Sequence, residues 1–360
     1  MQYYFIVVII IILAAFFTAN GKKTSSDRVL LFSVFLLFLF SAFRIGFTPD
    51  YYNYENHFDN PESVLLNERH DNEWLYRIIV TIFSYRWALV LQSTLLCICL
   101  FFALKIFVNQ RFRPYCYIIF FFYSSFFLGL LSGFRSSFVT IGLFLAIMAK
   151  NEFKIGWIYG LAFMIAAAGI HQSGLFLLPL LFIPQKPLSK TVSSVLLIFS
   201  IALILVSLFG ANLINMLVLS NIQYMEEYEV YMQDEISNIV SIGYFTILRL
   251  LLLSYLFFYS FSFCKKEIPG NESIFVKLTA LFFLINFLPG VGLINRFYCY
   301  FAFVSLPGFA TMVKYETDKR KRMLFIAAFI FFSLWRFYLF CISPIYTTYY
   351  AHYGNILIGL

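Results

Sequence analysis

Charge is what this sequence has least of. Asp, Glu, Lys and Arg make up 12% of its 360 residues, while apolar residues reach 61%. A soluble domain carries about twice that charge, so the deficit excludes a sizeable soluble domain. Metal-binding patterns are missing too. The six cysteines, at 97, 99, 116, 264, 299 and 341, fall mostly inside apolar runs and show no metal-ligand spacing. No cluster of Asp and His argues for a metal. There is no Gly-rich phosphate loop, so no nucleotide or other cofactor is expected. Nor is there an internal repeat of the kind many transporters carry. The net charge of +8 would suggest nucleic acid in a soluble chain. Here the lysines lie in short loops between apolar runs, which is a topology signal, and no nucleic-acid partner is implied.

What remains is an all-α polytopic integral membrane protein, a single transmembrane domain over residues 1–360. The apolar runs predict about 12 transmembrane helices, at 2–19, 28–47, 86–108, 114–131, 134–150, 155–170, 172–185, 191–219, 241–263, 273–290, 297–313 and 323–342. The run at 172–185 is short for a span and contains Pro179. All 13 lysines fall in one alternating set of loops, which the positive-inside rule places in the cytoplasm. Both termini then face out. The first helix reads as an outward-N anchor rather than a cleaved signal. Two outer loops, about 48–85 and 220–240, hold most of the acidic residues.

The 13 arginines do not follow the lysines. Eight of them (Arg44, Arg69, Arg77, Arg86, Arg135, Arg249, Arg296 and Arg336) map to outer loops or the outer halves of helices. Topology alone would not sort two cations this way. Lysine is a compact point charge, whereas arginine is a planar fork matched to phosphate and carboxylate oxygens. A charge at membrane depth costs at least about 2.5–3.5 kcal/mol and faces a cavity or a partner. The bland alternative is that these arginines snorkel or tie down acids. All four histidines (57, 70, 171 and 352) map to the outer side as well. Fixed cations beneath acidic and aromatic loops suit a lipid-linked anion with a polar head. Tyr51, Tyr52, Tyr54 and Trp74 suit stacking on sugar rings, or a plain aromatic belt. "SGFRSSF" (Ser132–Phe138) lies within about 33 apolar residues, too many for one span. Its glycine and serines predict a tight hairpin that leaves Arg135 at or just inside the outer surface.

"FRIGFTPDYYNYENHF" (Phe43–Phe58) resembles the opening signature of the EpsG/Wzy-like polysaccharide polymerases, an Arg-x-Gly pair followed by Asp-Tyr-x-x-Tyr. Here these residues are Arg44, Gly46, Asp50, Tyr51 and Tyr54. "NEWLYRII" (Asn72–Ile79), "SGFRSSFVTIGLFLAIMA" (Ser132–Ala149), "GIHQSGLFLLPL" (Gly169–Leu180) and "NRFYCYF" (Asn295–Phe301) are similar to later family elements, in order. The resemblance spans roughly residues 1–315. It departs at Trp74-Leu75, where a Pro-Gly-like pair is expected.

The resemblance implies a GT-C-like glycosyltransferase architecture with short outer loops, in the bacterial inner (plasma) membrane. It implies an O-antigen or exopolysaccharide polymerase of the Wzy type. A growing glycan on undecaprenyl pyrophosphate is transferred onto a lipid-linked repeat unit, and undecaprenyl pyrophosphate leaves. Its partners are those two lipid-linked oligosaccharides, membrane lipid and a chain-length regulator protein. Pyrophosphate departs without a general acid, but its developing charge needs fixed cations, with Arg135, Arg249, Arg296 and Arg44 as candidates. The attacking hydroxyl needs a base, for which Asp50, Glu73 and His171 are candidates. Structural roles stand beside these: Asp50 as a helix N-cap or ion pair to Arg44, Glu73 as an i,i+4 partner of Arg77, and His171 as a hydrogen-bonded core residue. Tyr51, Tyr54 and Trp74 are candidate sugar contacts. Rival functions are a flippase of the lipid-linked unit and a glycan ligase.

Overall fold

The computed structural model describes residues 2–123, 126–152, 155–209, 244–287, 297–342, 350 and 353–358. In chain order its helices are α1 (Gln2–Ala19), α2 (Lys23–Ala42), α3 (Tyr51–Asp59), α4 (Glu62–Leu65), α5 (Trp74–Ile82), α6 (Tyr85–Ile106), α7 (Arg113–Phe122), α8 (Phe127–Ser132), α9 (Phe134–Glu152), α10 (Gly156–Ile170), α11 (Lys190–Phe209), α12 (Tyr244–Phe263), α13 (Gly270–Ile285), α14 (Ala302–Tyr315) and α15 (Lys319–Cys341). Two residues on each side form an antiparallel bridge, β1 (Arg44–Ile45) with β2 (Gly354–Asn355).

The solvent of this fold is legible on α1. Tyr4, Val8, Ile11, Ala15 and Ala19 recur every three or four residues and are buried. The opposite face is equally apolar, yet Ile6, Ile9, Leu13 and Phe17 are each at least 50% exposed. A helix that is apolar all round and half uncovered has lipid on its outer face. Among the described residues four helices, α1, α2, α6 and α15, are long and apolar enough to cross a membrane. Inward of them, α14 is buried from Ala302 to Val313. Gly308 lets it press on α13, because a Cβ there would meet the Phe275 carbonyl at 2.5 Å.

The other expected spans need revision. Residues 114–131 are divided between α7 and α8, and the element expected at 297–313 begins as a 3₁₀ turn, Tyr298–Phe301. The segment at 172–185 is an 11-residue 3₁₀ helix, Gln172–Phe182, with Pro179 inside it. At about 2.0 Å per residue it covers about 22 Å. The 15 residues of α10 cover about the same at 1.5 Å each. The tighter coil therefore makes up for the short sequence. It starts beside His171, and at its far end Lys150 in the last turn of α9 donates to the carbonyls of Leu181 and Ile183.

The two ends of the bundle differ in chemistry. At one, Tyr353 stacks on Phe40 at 4.4 Å and lies 5.1 Å from Phe47 and 6.3 Å from Tyr3. The start of α1, the end of α2 and the last described residues therefore share one end. At the other lie the Arg113–Asp27 ion pair, 2.8 Å, and Lys277, which donates to the Pro184 and Lys186 carbonyls.

The hairpin expected at Ser132–Phe138 is a sharper break. α8 stops at Ser132, and α9 restarts at Phe134. Breaking a helix inside a membrane protein strands backbone carbonyls that must find donors. Gln92, fully buried on α6, donates to the Leu130 carbonyl and to Ser137 Oγ, at 3.0 and 2.9 Å. Arg44 supplies another donor. α2 ends at Ala42 rather than near 47, and the Arg44 guanidinium turns inward. It donates to the carbonyls of Leu131 and Ser41 and to Gln92 Oε1.

Candidate functional site

Glu73 precedes α5, and its carboxylate is 1% exposed. A buried carboxylate must be hydrogen-bonded or paired, and this one is held on both oxygens. Oε1 accepts from His171 Nδ1 at 2.8 Å and from the Gln172 backbone N–H at 3.3 Å. Oε2 accepts from His70 Nδ1 at 2.7 Å and from Arg135 Nη1. Arg135 also lies 5.2 Å from the centre of the Tyr76 ring, whose hydroxyl bonds His57 Nδ1 at 2.9 Å.

The local chain explains why these groups converge. His70 and Glu73 are three residues apart across a turn, with the Glu73 N–H donating to the His70 carbonyl. His171 is the residue at which α10 gives way to the 3₁₀ helix, so its backbone is extended, and its ring reaches Glu73. Arg135 is the second residue of α9, beside the break at Gly133. Gly169 gives Trp74 room next to Glu73, since a Cβ there would come within 2.7 Å of the indole.

The electrostatics divide the labour. Burial alone would raise the Glu73 carboxyl. The hydrogen bonds from His171 and His70, with the charge of Arg135, outweigh it and hold the group well below the ordinary carboxylate range. Glu73 is thus a fixed anion and a poor base. An imidazole that donates Nδ1–H to a fixed carboxylate keeps its lone pair on Nε2. His171 is the more open of the two imidazoles on this carboxylate, its side chain 20% exposed against 5% for His70. His57 is pushed down to about 4, chiefly by burial and then by Arg135, so it stays neutral. The Nδ1 atoms of His70 and His171 both face the Glu73 carboxylate, and among the described residues no group of three His, Cys, Asp or Glu side chains is arranged to hold a metal.

Of the residues expected from sequence, Glu73, His171 and Arg135 meet. The i,i+4 pair of Glu73 with Arg77 does not form, because Arg77 bonds Asp71 and the Leu65 carbonyl. Asp50 does not cap α3 with its side chain, and it accepts from Ser132 Oγ at 3.0 Å. Arg44 is buried in the helix-break network, so it offers no open fork to a phosphate. Tyr51 and Tyr54 are 1% and 7% exposed, so neither ring presents a free face to a sugar. Trp74 at 50% and Tyr52 at 64% do. Arg249 donates to the Asn286 carbonyl at 2.9 Å. Arg296 and the loop at 220–240 lie outside the described residues. Sequence reasoning missed His70, although its i,i+3 spacing to Glu73 was the available signal. It also missed the Ser173–Tyr300 hydroxyl pair, 2.6 Å apart, which joins the His171 turn to Tyr298–Phe301.

A sequence model of the EpsG family matches residues 27–354, nearly the whole chain. The chain therefore belongs to the EpsG family, a polysaccharide polymerase-like family. Comparison with curated proteins and with solved structures gives no match.

Proposed function

We propose that this EpsG-family membrane protein is a glycosyltransferase that polymerises lipid-linked oligosaccharide repeat units. It moves a growing glycan from undecaprenyl pyrophosphate onto the acceptor sugar of a second lipid-linked unit and releases undecaprenyl pyrophosphate. The reading places the reaction at the outer face of the bacterial plasma membrane, with both termini on that side. It keeps a GT-C-like architecture with about 12 spans as its working topology, and a chain-length regulator as a protein partner.

The observation that carries the reading is the buried Glu73 carboxylate with His171 on one oxygen and His70 and Arg135 on the other. Such an arrangement suits one task, holding an imidazole ready to accept a proton in a place where little water competes. His171 Nε2 is the general base for the attacking hydroxyl, and Glu73 fixes its tautomer and supports the imidazolium that forms. Arg135 holds Glu73 in place rather than the pyrophosphate, because its charge is committed to that carboxylate. Trp74, half exposed beside Glu73, is the best-placed ring for the acceptor sugar.

The test is the product of the cell and of the purified protein. Deleting the gene should leave surface glycan one repeat unit long. Purified protein given lipid-linked repeat units should build a ladder of chain lengths, and His171→Gln should slow it by roughly 10²–10⁴. Deletion that instead trapped lipid-linked units on the inner leaflet would favour a flippase. Normal polymers that failed to reach their final lipid would favour a ligase.

A further inference from the structure

The exposed apolar surface does not stop at the spanning helices. α5 has nine residues, about 14 Å at 1.5 Å each, less than half of a hydrocarbon core about 30 Å thick. It therefore cannot cross a membrane. It sits at the end of the bundle where α2 stops. Arg86, in the first turn of α6, donates to the Arg44 carbonyl at 3.1 Å, and Tyr85 lies 5.1 Å from Tyr51. One face of α5 is core, with Tyr76, Ile79 and Val80 buried. On the other face Trp74, Ile78 and Ile82 follow at i, i+4 and i+8, and each is at least 45% exposed. Phe83, which ends the helix, is exposed too. No charge interrupts the stripe. Arg77, on its flank, turns back to Asp71 and the Leu65 carbonyl.

Two observations say what covers it. The stripe is continuous with the lipid-facing surface. α6 starts two residues after Phe83 and is long and apolar enough to cross the membrane. Its third residue, Trp87, is 67% exposed, and Ile98, Phe102 and Ile106 carry the exposed face onward. A tryptophan so placed belongs at the headgroup level. α10, which packs against α5, also exposes apolar side chains, Phe163 and Ile165 among them. The second observation is a contrast. The segment 52–66, at the same end, exposes mostly polar residues, Asn53, Asp59, Asn60 and Glu62, with Tyr52 and Leu66 the apolar exceptions. Water suits that segment and does not suit α5. A second protein chain fits poorly, because a stripe about 14 Å long on a helix about 10 Å across falls far short of the about 800 Å² per partner of a stable interface.

We propose that α5 is an interfacial helix whose partner is the bilayer itself. It lies in the headgroup layer with Ile78, Ile82 and Phe83 at the acyl boundary. Trp74, at the head of the stripe, stands where the lipid surface meets the site. Glu73 is the residue before it and holds His171 at 2.8 Å. The depth of α5 in the lipid thus sets the height of that pair. The lipid contact needs no substrate, whereas its consequence for turnover rests on the transferase reading.

The test uses the full-length protein in phosphatidylcholine vesicles. Ile78→Cys, Ile82→Cys and, as a water-facing control, Asp59→Cys are labelled with an environment-sensitive dye, with the unsubstituted protein as the blank. Lipid brominated on its upper acyl carbons should quench the Ile78 and Ile82 labels roughly twofold or more beyond the Asp59 label, and aqueous iodide should do the reverse. Both stripe positions are exposed, so labelling them leaves the core intact. Iodide quenching at Ile78 and Ile82 equal to that at Asp59 would overturn the proposal. So would protection from both quenchers together with crosslinking between copies, which would make the stripe a protein interface. Ile82→Asp should raise iodide quenching at the Ile78 label and slow the chain-length ladder by roughly tenfold or more, since small displacements of catalytic groups are costly. Loss of lipid contact with an unchanged ladder would overturn the link to the site. If the labels report lipid but wild type builds no glycan, the interfacial helix stands and the transferase reading falls. If they report water while wild type polymerises, the transferase reading stands and the interfacial helix falls.

Discussion

Glu73→Gln changes one atom and should disable the protein in two separable ways. The wild-type carboxylate accepts four hydrogen bonds, from His171, His70, Arg135 and the Gln172 N–H. An amide has only one oxygen. Whichever way it is turned, its NH₂ group meets donors on one side, His171 on Oε1 or Arg135 and His70 on Oε2. Arg135 also loses its counter-charge. Removing one partner of a buried pair costs about 3–5 kcal/mol. The Arg135 side chain keeps 20% of its exposure, so we expect the lower end, about 3 kcal/mol. If the NH₂ faces His171, the ring must protonate Nε2 to present a lone pair to it, and the base is gone, a loss of roughly 10²–10⁴ in rate. Glu73→Asp separates the two effects. It keeps the charge but withdraws the carboxylate by one C–C bond, about 1.5 Å, which breaks the 2.8 Å contact to His171. Stability should then recover in part while activity does not. The assays are thermal unfolding in detergent and chain-length ladders from lipid-linked repeat units. A Glu73→Gln protein with the wild-type unfolding midpoint and wild-type ladder would refute the arrangement.

Three further outcomes follow from the same geometry. Glu73 ionises lower in the fold than its usual 4.5, and His57 falls from 6.5 to about 4. For both groups the unfolded chain binds protons at higher pH than the folded one, so stability is complete above about pH 6.5. It should fall first between 6.5 and 4 through His57, then below about 4.5 through Glu73. Unfolding midpoints from pH 7 to 3 should show this, and His57→Gln should flatten the first limb only. Gly169→Ala should force the Trp74 indole outward and with it the start of α5. Overpacking costs about 1–3 kcal/mol, and a 1 Å misplacement of Glu73 costs about 10²-fold in rate. A variant with full activity would show that Trp74 does not hold Glu73 in place. Gln92→Leu strands the Leu130 carbonyl and removes an acceptor from Arg44, at about 1–3 kcal/mol per stranded group. Unfolding midpoints should drop, while donor binding by the folded fraction stays unchanged.

The sequence by itself determined the solvent and the cast of residues. A chain with so little charge and so many long apolar runs folds in lipid, where a helix satisfies every backbone group within its own segment. Periodicity on α1 followed from that constraint. Glu73, His171 and Arg135 were legible as candidates because each is a costly residue in an apolar setting. Which of them meet was not legible. His171 and Glu73 are separated by 98 residues, and only the packing of α5 against α10 sets their distance. The same holds for Arg44, which the sequence presents as one more outward cation. The broken end of α8 drew it inward, because the carbonyls that the break strands needed donors. Tyr51 and Tyr54 were buried by ring packing instead, against Tyr85 and Phe134, whereas their neighbour Tyr52 was left outside. The 3₁₀ helix at Gln172–Phe182 is the clearest case. Fourteen residues with a proline look too short to span, and the observed 3₁₀ coil carries eleven of them over about 22 Å, as far as α10 reaches. Side-chain chemistry is local and can be read from the chain. Partnership depends on where distant helices stop, and that was decided by the tertiary structure.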